Sequence, residues 1–198
     1  MGDWPEELER GWTVTALEGE PCSGDAAVFA PTAEGGLACA IDGLGHGPEA
    51  AEAAEICGDV VRAHAGDSPQ ELLDACHEAL RGSRGVVMTV AWFNLERGEL
   101  SWTGVGNIDA RLVRSGPRQR EEVALVFGGV VGHQMPRIRL ATMTIARGDL
   151  LVMISDGVEG AISPALAGGG SAQALADRIV QLHGKGSDDA LAIVVRYR

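Results

Sequence analysis

Short apolar runs broken by turn residues make up most of the chain. Residues 26–30 (Ala-Ala-Val-Phe-Ala) and 37–41 (Leu-Ala-Cys-Ala-Ile) flank a Pro-Thr-Ala-Glu-Gly-Gly turn, which predicts a β-hairpin. Asp25 enters this hairpin and Asp42 leaves it. Antiparallel pairing sets the start of one strand beside the end of the next, so both carboxylates are expected at one edge of the sheet. Further strands are predicted over 12–17, 86–95, 100–105, 109–114, 122–127, 138–146, 150–155 and 190–196.

Helical spacing appears in three places. After Pro48, Ile56, Val60 and His64 recur at fourth positions, with Glu49 and Glu52 near the start; a proline and acids there suit a helix N-terminus. Ser68-Pro69-Gln70-Glu71 is a capping-box pattern, followed by Leu72, Cys76 and Leu80 on one face and a stop at Gly82. Leu175, Ile179 and Leu182 predict a late helix over 172–183. The strand over 86–95 is apolar on both alternating faces, so it needs a second sheet on one side and helices on the other. The expected fold is α+β, a four-layer α-β-β-α sandwich of two antiparallel sheets, formed by residues 1–198 as a single domain.

Composition narrows the function. Sixteen Lys and Arg oppose 28 Asp and Glu, a net charge of −12, which leaves no basic stripe for a nucleic-acid backbone. At 45% hydrophobic residues the chain is too apolar for an acidic disordered tail. No apolar run reaches the roughly 20 residues of a membrane span, and the stretch from Met1 to Glu7 has neither the basic flank nor the apolar core of a signal peptide. A cytoplasmic protein without nucleic-acid or membrane partners is expected. Cys22, Cys39, Cys57 and Cys76 form no C-x-x-C pair and are expected as reduced thiols.

The chemistry lies in acids at strand ends. Asp42 opens Asp42-Gly43-Leu44-Gly45-His46-Gly47, whose three glycines allow sharp turns and bring backbone carbonyls close to a ligand. Ser155-Asp156-Gly157 closes one apolar strand, and Asp188-Asp189 precedes the last. If those strands are antiparallel neighbours, four or five carboxylates converge with Asp25 and Asp42, and their mutual repulsion calls for bound cations. Carboxylate, carbonyl and water are the ligands of a hard divalent ion.

The ordered set Gly24-Asp25, Asp42 to Gly47, Gly148-Asp149-Leu150-Leu151 running into Ser155-Asp156-Gly157-Val158, and Asp188-Asp189 resembles the metal-dependent protein serine/threonine phosphatases of type 2C, in their bacterial SpoIIE-like branch. The resemblance spans about residues 22–197. It implies two ions, Mn²⁺ or Mg²⁺, with Asp42 bridging both and the Gly43 carbonyl completing the first. Asp156 and Asp188 would hold the second, with Asp189 as the alternative to Asp188, and Asp25 would act through water. A bare catalytic domain of this size is similar to the stressosome phosphatases of that branch, which implies phosphorylated STAS-domain proteins as substrates. Eukaryotic members carry a histidine where Leu44 stands, so a general acid is missing at that position. The alternatives are a catalytically silent docking module of the same fold and a hydrolase of small phosphoesters. Gly104-Val105-Gly106-Asn107 and Gly128 to His133 read as glycine turns that could border the cleft.

Overall fold

The computed structural model describes residues 3–116 and 120–198; Met1 and Gly2 of the N-terminal reading lie outside the described residues. The strands are β1 (Leu8–Thr15), β2 (Asp25–Thr32), β3 (Gly35–Gly43), β4 (Val86–Asn94), β5 (Glu99–Val105), β6 (Asp109–Val113), β7 (Glu121–Val123), β8 (Val126–Phe127), β9 (Ala141–Thr144), β10 (Leu150–Ile154) and β11 (Ala190–Tyr197). The helices are α1 (Pro48–Ala63), α2 (Pro69–Ala79), α3 (Ser163–Ala167) and α4 (Ala172–His183). One sheet runs β1-β11-β10-β6-β7, and the other runs β2-β3-β4-β5-β8 with β9 also paired to β5. The pairs are antiparallel except β5 with β8.

Period-two alternation builds the layers. Leu191, Ile193 and Val195 of β11 face the second sheet and, with Leu8, Leu112 and Met153 of their own sheet, form one cluster with Leu100 and Trp102 of β5. Ala190, Ala192 and Val194, from the same strand, pack against Leu175, Ala176 and Ile179 of α4. In β3, Ala38 and Ala40 face the sandwich while Leu37, Cys39 and Ile41 face Cys57, Val61 and Leu72 of α1 and α2. Small Ala38, Ala40, Ala91 and Ala110 leave room for Trp102 in the central layer. Both sheet faces are therefore covered, as a strand apolar on two faces requires. The result is the α-β-β-α sandwich expected from the pattern.

Helix ends follow the local signals. Ser68 caps α2 in a complete capping box with Glu71, and Ser171 accepts a hydrogen bond from the Ala174 amide at α4. The four cysteines are free thiols, with Cys39, Cys57 and Cys76 buried. Among the described residues no helix is long and apolar enough to cross a membrane.

Four boundaries differ from the expectation. The first strand begins at Leu8, because Leu8 is buried and pairs with Tyr197 of β11. The segment 122–127 divides between the two sheets, β7 pairing with β6 and β8 with β5; the chain crosses over at Leu125, which is 74% exposed. The strand predicted over 138–146 contracts to Ala141–Thr144. The single-turn α3 is additional, and its Ala165 and Leu166 cover the α4 side of the first sheet.

Asp149, part of the sequence pattern, is a structural residue. Its buried carboxylate accepts hydrogen bonds from Arg114 Nη1 (2.9 Å), the Ser115 amide (2.8 Å) and the Ala146 amide (3.0 Å). Burial pushes the carboxyl up, but these donors outweigh it and hold Asp149 below its ordinary value. Asp149→Ala is expected to lower unfolding stability by about 3 kcal/mol, since it removes one of the two carboxylates paired with Arg114 and leaves two amides without their acceptor. Urea denaturation of the two proteins measures this directly.

Candidate metal centre

The hairpin register sets Asp25 opposite Asp42. On the other sheet, Ile154 pairs with Ala192, so Asp156, two residues beyond β10, and Asp188-Asp189, just before β11, reach the same edge. The two edges meet in a cleft of about 570 Å³, lined by these five aspartates together with the hexamer residues Leu44, Gly45 and His46. Among the described residues no Lys or Arg lines it.

The strand ends are packed so closely that glycine is required. A Cβ on Gly43 would lie 2.2 Å from the Ala50 carbonyl oxygen, and one on Gly157 would lie 1.8 Å from that of Asp189. The hexamer thus presses on the start of α1, and the Ser-Asp-Gly turn presses on the entry to β11. These contacts leave the acids little freedom to separate.

Each carboxylate has a different set of partners. Asp25 is 6% exposed and accepts a hydrogen bond from Ser155 Oγ at 2.7 Å; that hydroxyl accepts in turn from the Leu191 amide at 2.9 Å. Asp189 is buried, and its two oxygens accept from the amides of Leu17 (2.8 Å) and Gly24 (2.7 Å). Asp188 Oδ1 accepts from the Asp189 amide. Asp156 Oδ2 accepts from Asn107 Nδ2 at 2.9 Å. His46 is tied to Glu20 at 2.6 Å, and Leu44, at the position of the eukaryotic histidine, is 37% exposed in the cleft wall. Arg84 pairs with Glu49 beside the hexamer, with Nη1 3.5 Å from the Leu44 carbonyl.

The structure therefore gathers Asp25, Asp42, Asp156, Asp188 and Asp189, and Gly43 follows Asp42 at the end of β3. Sequence reasoning missed the hydroxyl of Ser155, although the residue sits in the Ser-Asp-Gly motif. It also left Asn107 as a turn residue; a glycine-flanked amide at a strand end was the available signal.

The electrostatics show the strain of this gathering. Burial, and then the charge of Asp42, pushes Asp25 up to about 8, with Asp189 and Asp156 adding to the rise and Ser155 opposing it. Burial, and then Asp156, Asp188 and Asp189, pushes Asp42 up to about 7. Among the described residues no three His, Cys, Asp or Glu side chains are drawn tightly enough to enclose an ion on their own. The carboxylates instead ring an open cleft, which suits a hard cation that keeps part of its water shell. All of these donors are oxygens, and among the described residues no Lys or Arg in the lining competes, so the residues fit a divalent ion.

The protein-family description Stage II sporulation protein E (SpoIIE) matches residues 34–198. Phosphoserine phosphatase RsbX of Bacillus subtilis (strain 168) is 25% identical over 142 residues, covering 71% of this chain and 70% of that protein. A solved structure described as "The bacterial stressosome: a modular system that has been adapted to control secondary messenger signaling" is 32% identical, covers 96% of this chain and 100% of its own, and superposes with a TM-score of 0.90. A crystal structure of RsbX in complex with magnesium is 20% identical over 99% of this chain and 98% of its own, with a TM-score of 0.87, a likeness of fold.

A carboxyl whose pKa rises from 3.8 to about 8 on folding binds its proton more tightly in the folded state. Its favourable contribution is present at low pH and disappears as pH climbs from about 4 toward 8. With chelator present, the melting temperature is expected to fall between pH 5 and pH 8, and Asp25→Asn is expected to flatten that slope. Thermal unfolding across this range checks both.

Proposed function

The chain belongs to the SpoIIE family, close to RsbX among the type 2C protein phosphatases, and from that membership we propose that residues 1–198 act as one catalytic domain hydrolysing phosphoserine and phosphothreonine in proteins with divalent cations. The observation that carries the reading is the cleft itself, five aspartates with no Lys or Arg among the described lining residues. A phosphomonoester is anionic, and carboxylates alone would repel it. Such a cleft accepts a phosphoryl group only when cations stand between the two.

Asp42 would hold both ions of a two-ion site, with the Gly43 carbonyl completing the first. Asp156 and Asp188 would hold the second. Asp188 is favoured over Asp189 because both Asp189 oxygens already accept backbone amides. Mn²⁺ or Mg²⁺ suits an all-oxygen donor set. When bound, such cations lower the pKa of water and neutralise phosphoryl oxygens, which is the chemistry of monoester hydrolysis.

The chain's own residues supply orientation. Ser155 fixes Asp25 through Oδ2, which leaves Oδ1 to accept a hydrogen bond from water in the cleft. Leu44 offers no proton, and His46 is engaged by Glu20, so the departing alkoxide takes its proton from solvent. Loss of a general acid typically costs 10²–10⁴ in rate, and a modest turnover follows.

Likeness to a stressosome structure and to RsbX supports stressosome proteins as substrates; in this reading they are phosphorylated STAS domains acted on in the cytoplasm. With a net charge of −12, the chain must engage an acidic phosphoprotein by local complementarity rather than long-range attraction.

Phosphate release from a phosphoserine STAS-domain protein is expected with Mn²⁺ and to vanish with excess chelator. Asp42→Asn is expected to reduce it by at least about 10³-fold while the far-ultraviolet spectrum stays native. No release by the Mn²⁺-treated wild type, from that substrate or from a small phosphoester, would point to the silent docking module. In Mn²⁺ titrations, Asp188→Asn is expected to weaken binding. Asp189→Asn is expected chiefly to lower the melting temperature, because the Leu17 and Gly24 amides lose an ionised acceptor.

A further inference from the structure

Asp156 is the most exposed of the five aspartates. Asp25 and Asp42 lie in strand register, Asp189 is clamped by two amides, and Asp188 accepts from the Asp189 amide. Asp156 lies in the turn after β10 and is exposed. Among the described residues its carboxylate has one hydrogen-bond partner, Asn107 Nδ2.

Asn107 is delivered by a turn with little freedom. It lies between β5 of one sheet and β6 of the other. Gly106, just before it, has φ +104°, and a Cβ there would lie 2.2 Å from Val87 Cγ1, so the position excludes other residues. The Gly106 amide donates to the Phe127 carbonyl at 2.8 Å, which anchors the turn to β8. Gly106, Asn107, Val87 and Asp156 all line the cleft.

We propose that Asn107 is a positioning residue of the candidate metal centre, its Nδ2 donating to Asp156 Oδ2 so that Oδ1 would be available to a cation. The inference rests on the metal-dependent reading above. An amide is the suitable donor for this task. It orients a carboxylate and leaves the negative charge intact, whereas Lys or Arg would neutralise the ligand and compete with the ion. A surface carboxylate without such a partner rotates freely and must be ordered when the ion binds. Partners of this kind, one step removed from the ion, typically govern metal affinity by 10–100-fold.

The test is a Mn²⁺ titration of the full chain, read by the electron paramagnetic resonance signal of free Mn²⁺. Asn107→Ala and Asn107→Leu, the second close in size but without a donor, are expected to weaken Mn²⁺ affinity by about 10–100-fold. Asn107→Gln keeps the amide and is expected to recover most of the loss. Melting temperatures in chelator should match the wild type for all three; a merely structural role would lower them and leave the affinity unchanged. Wild-type affinity in both the Ala and Leu variants would overturn the proposal while the metal-dependent reading stood. If the wild type itself bound no Mn²⁺, that reading would fail and this one with it. Should Asn107→Ala fail to fold, the Leu and Gln pair carries the same comparison.

Discussion

Repulsion among five aspartates at one edge of the sandwich is the constraint on which the rest of the structure turns. Among the described residues no Lys or Arg in the cleft lining offsets it, and burial, followed by this repulsion, raises the Asp25 and Asp42 carboxyls. The arrangement persists because strand register imposes it. Asp25 cannot leave Asp42 without unzipping β2 from β3, and Asp156 cannot leave the Asp188-Asp189 turn without separating β10 from β11. Those pairings are fastened by apolar layers on both faces of each sheet. The hydrophobic effect acts on areas remote from the cleft, yet it supplies the force that holds like charges together.

Close packing then turns proximity into geometry. Gly43 and Gly157 let the hexamer touch α1 and the Ser-Asp-Gly turn touch the β11 entry, at distances that a side chain would forbid. Neutral donors complete the arrangement: Ser155 for Asp25, the Leu17 and Gly24 amides for Asp189, and Asn107 for Asp156. Hydroxyls and amides orient carboxylates without cancelling their charge. Charged partners occur elsewhere, as at Asp149 with Arg114, where a carboxylate serves stability. The molecule thus separates two uses of aspartate by the choice of donor.

Much of this was legible in the chain. Alternation in residues 86–95 and 190–196 called for two covered sheet faces, and the capping box placed α2 within a residue of its observed start. The Asp25–Asp42 opposition followed from hairpin geometry alone. Convergence of the remaining acids depended on β10 pairing with β11, which periodicity does not reveal and family resemblance supplied. Local patterns failed where tertiary context decides. Residues 122–127 are apolar and strand-like, but the chain changes sheets at Leu125. Asp149 resembled the site acids in sequence, yet three donors remote from the cleft use it. Ser155 and Asn107 were hidden because their roles lie in cross-sheet hydrogen bonds.

Membership of the SpoIIE family and the all-oxygen cleft lead to one account, that the fold holds these carboxylates together to receive divalent cations. The most direct measurement is diffraction from Mn²⁺-soaked crystals near the manganese absorption edge. The account predicts two anomalous peaks in the cleft, both beside Asp42, one also at the Gly43 carbonyl and the other adjoining Asp156 and Asp188. Crystals with full manganese exposure and no anomalous density between those residues would contradict it.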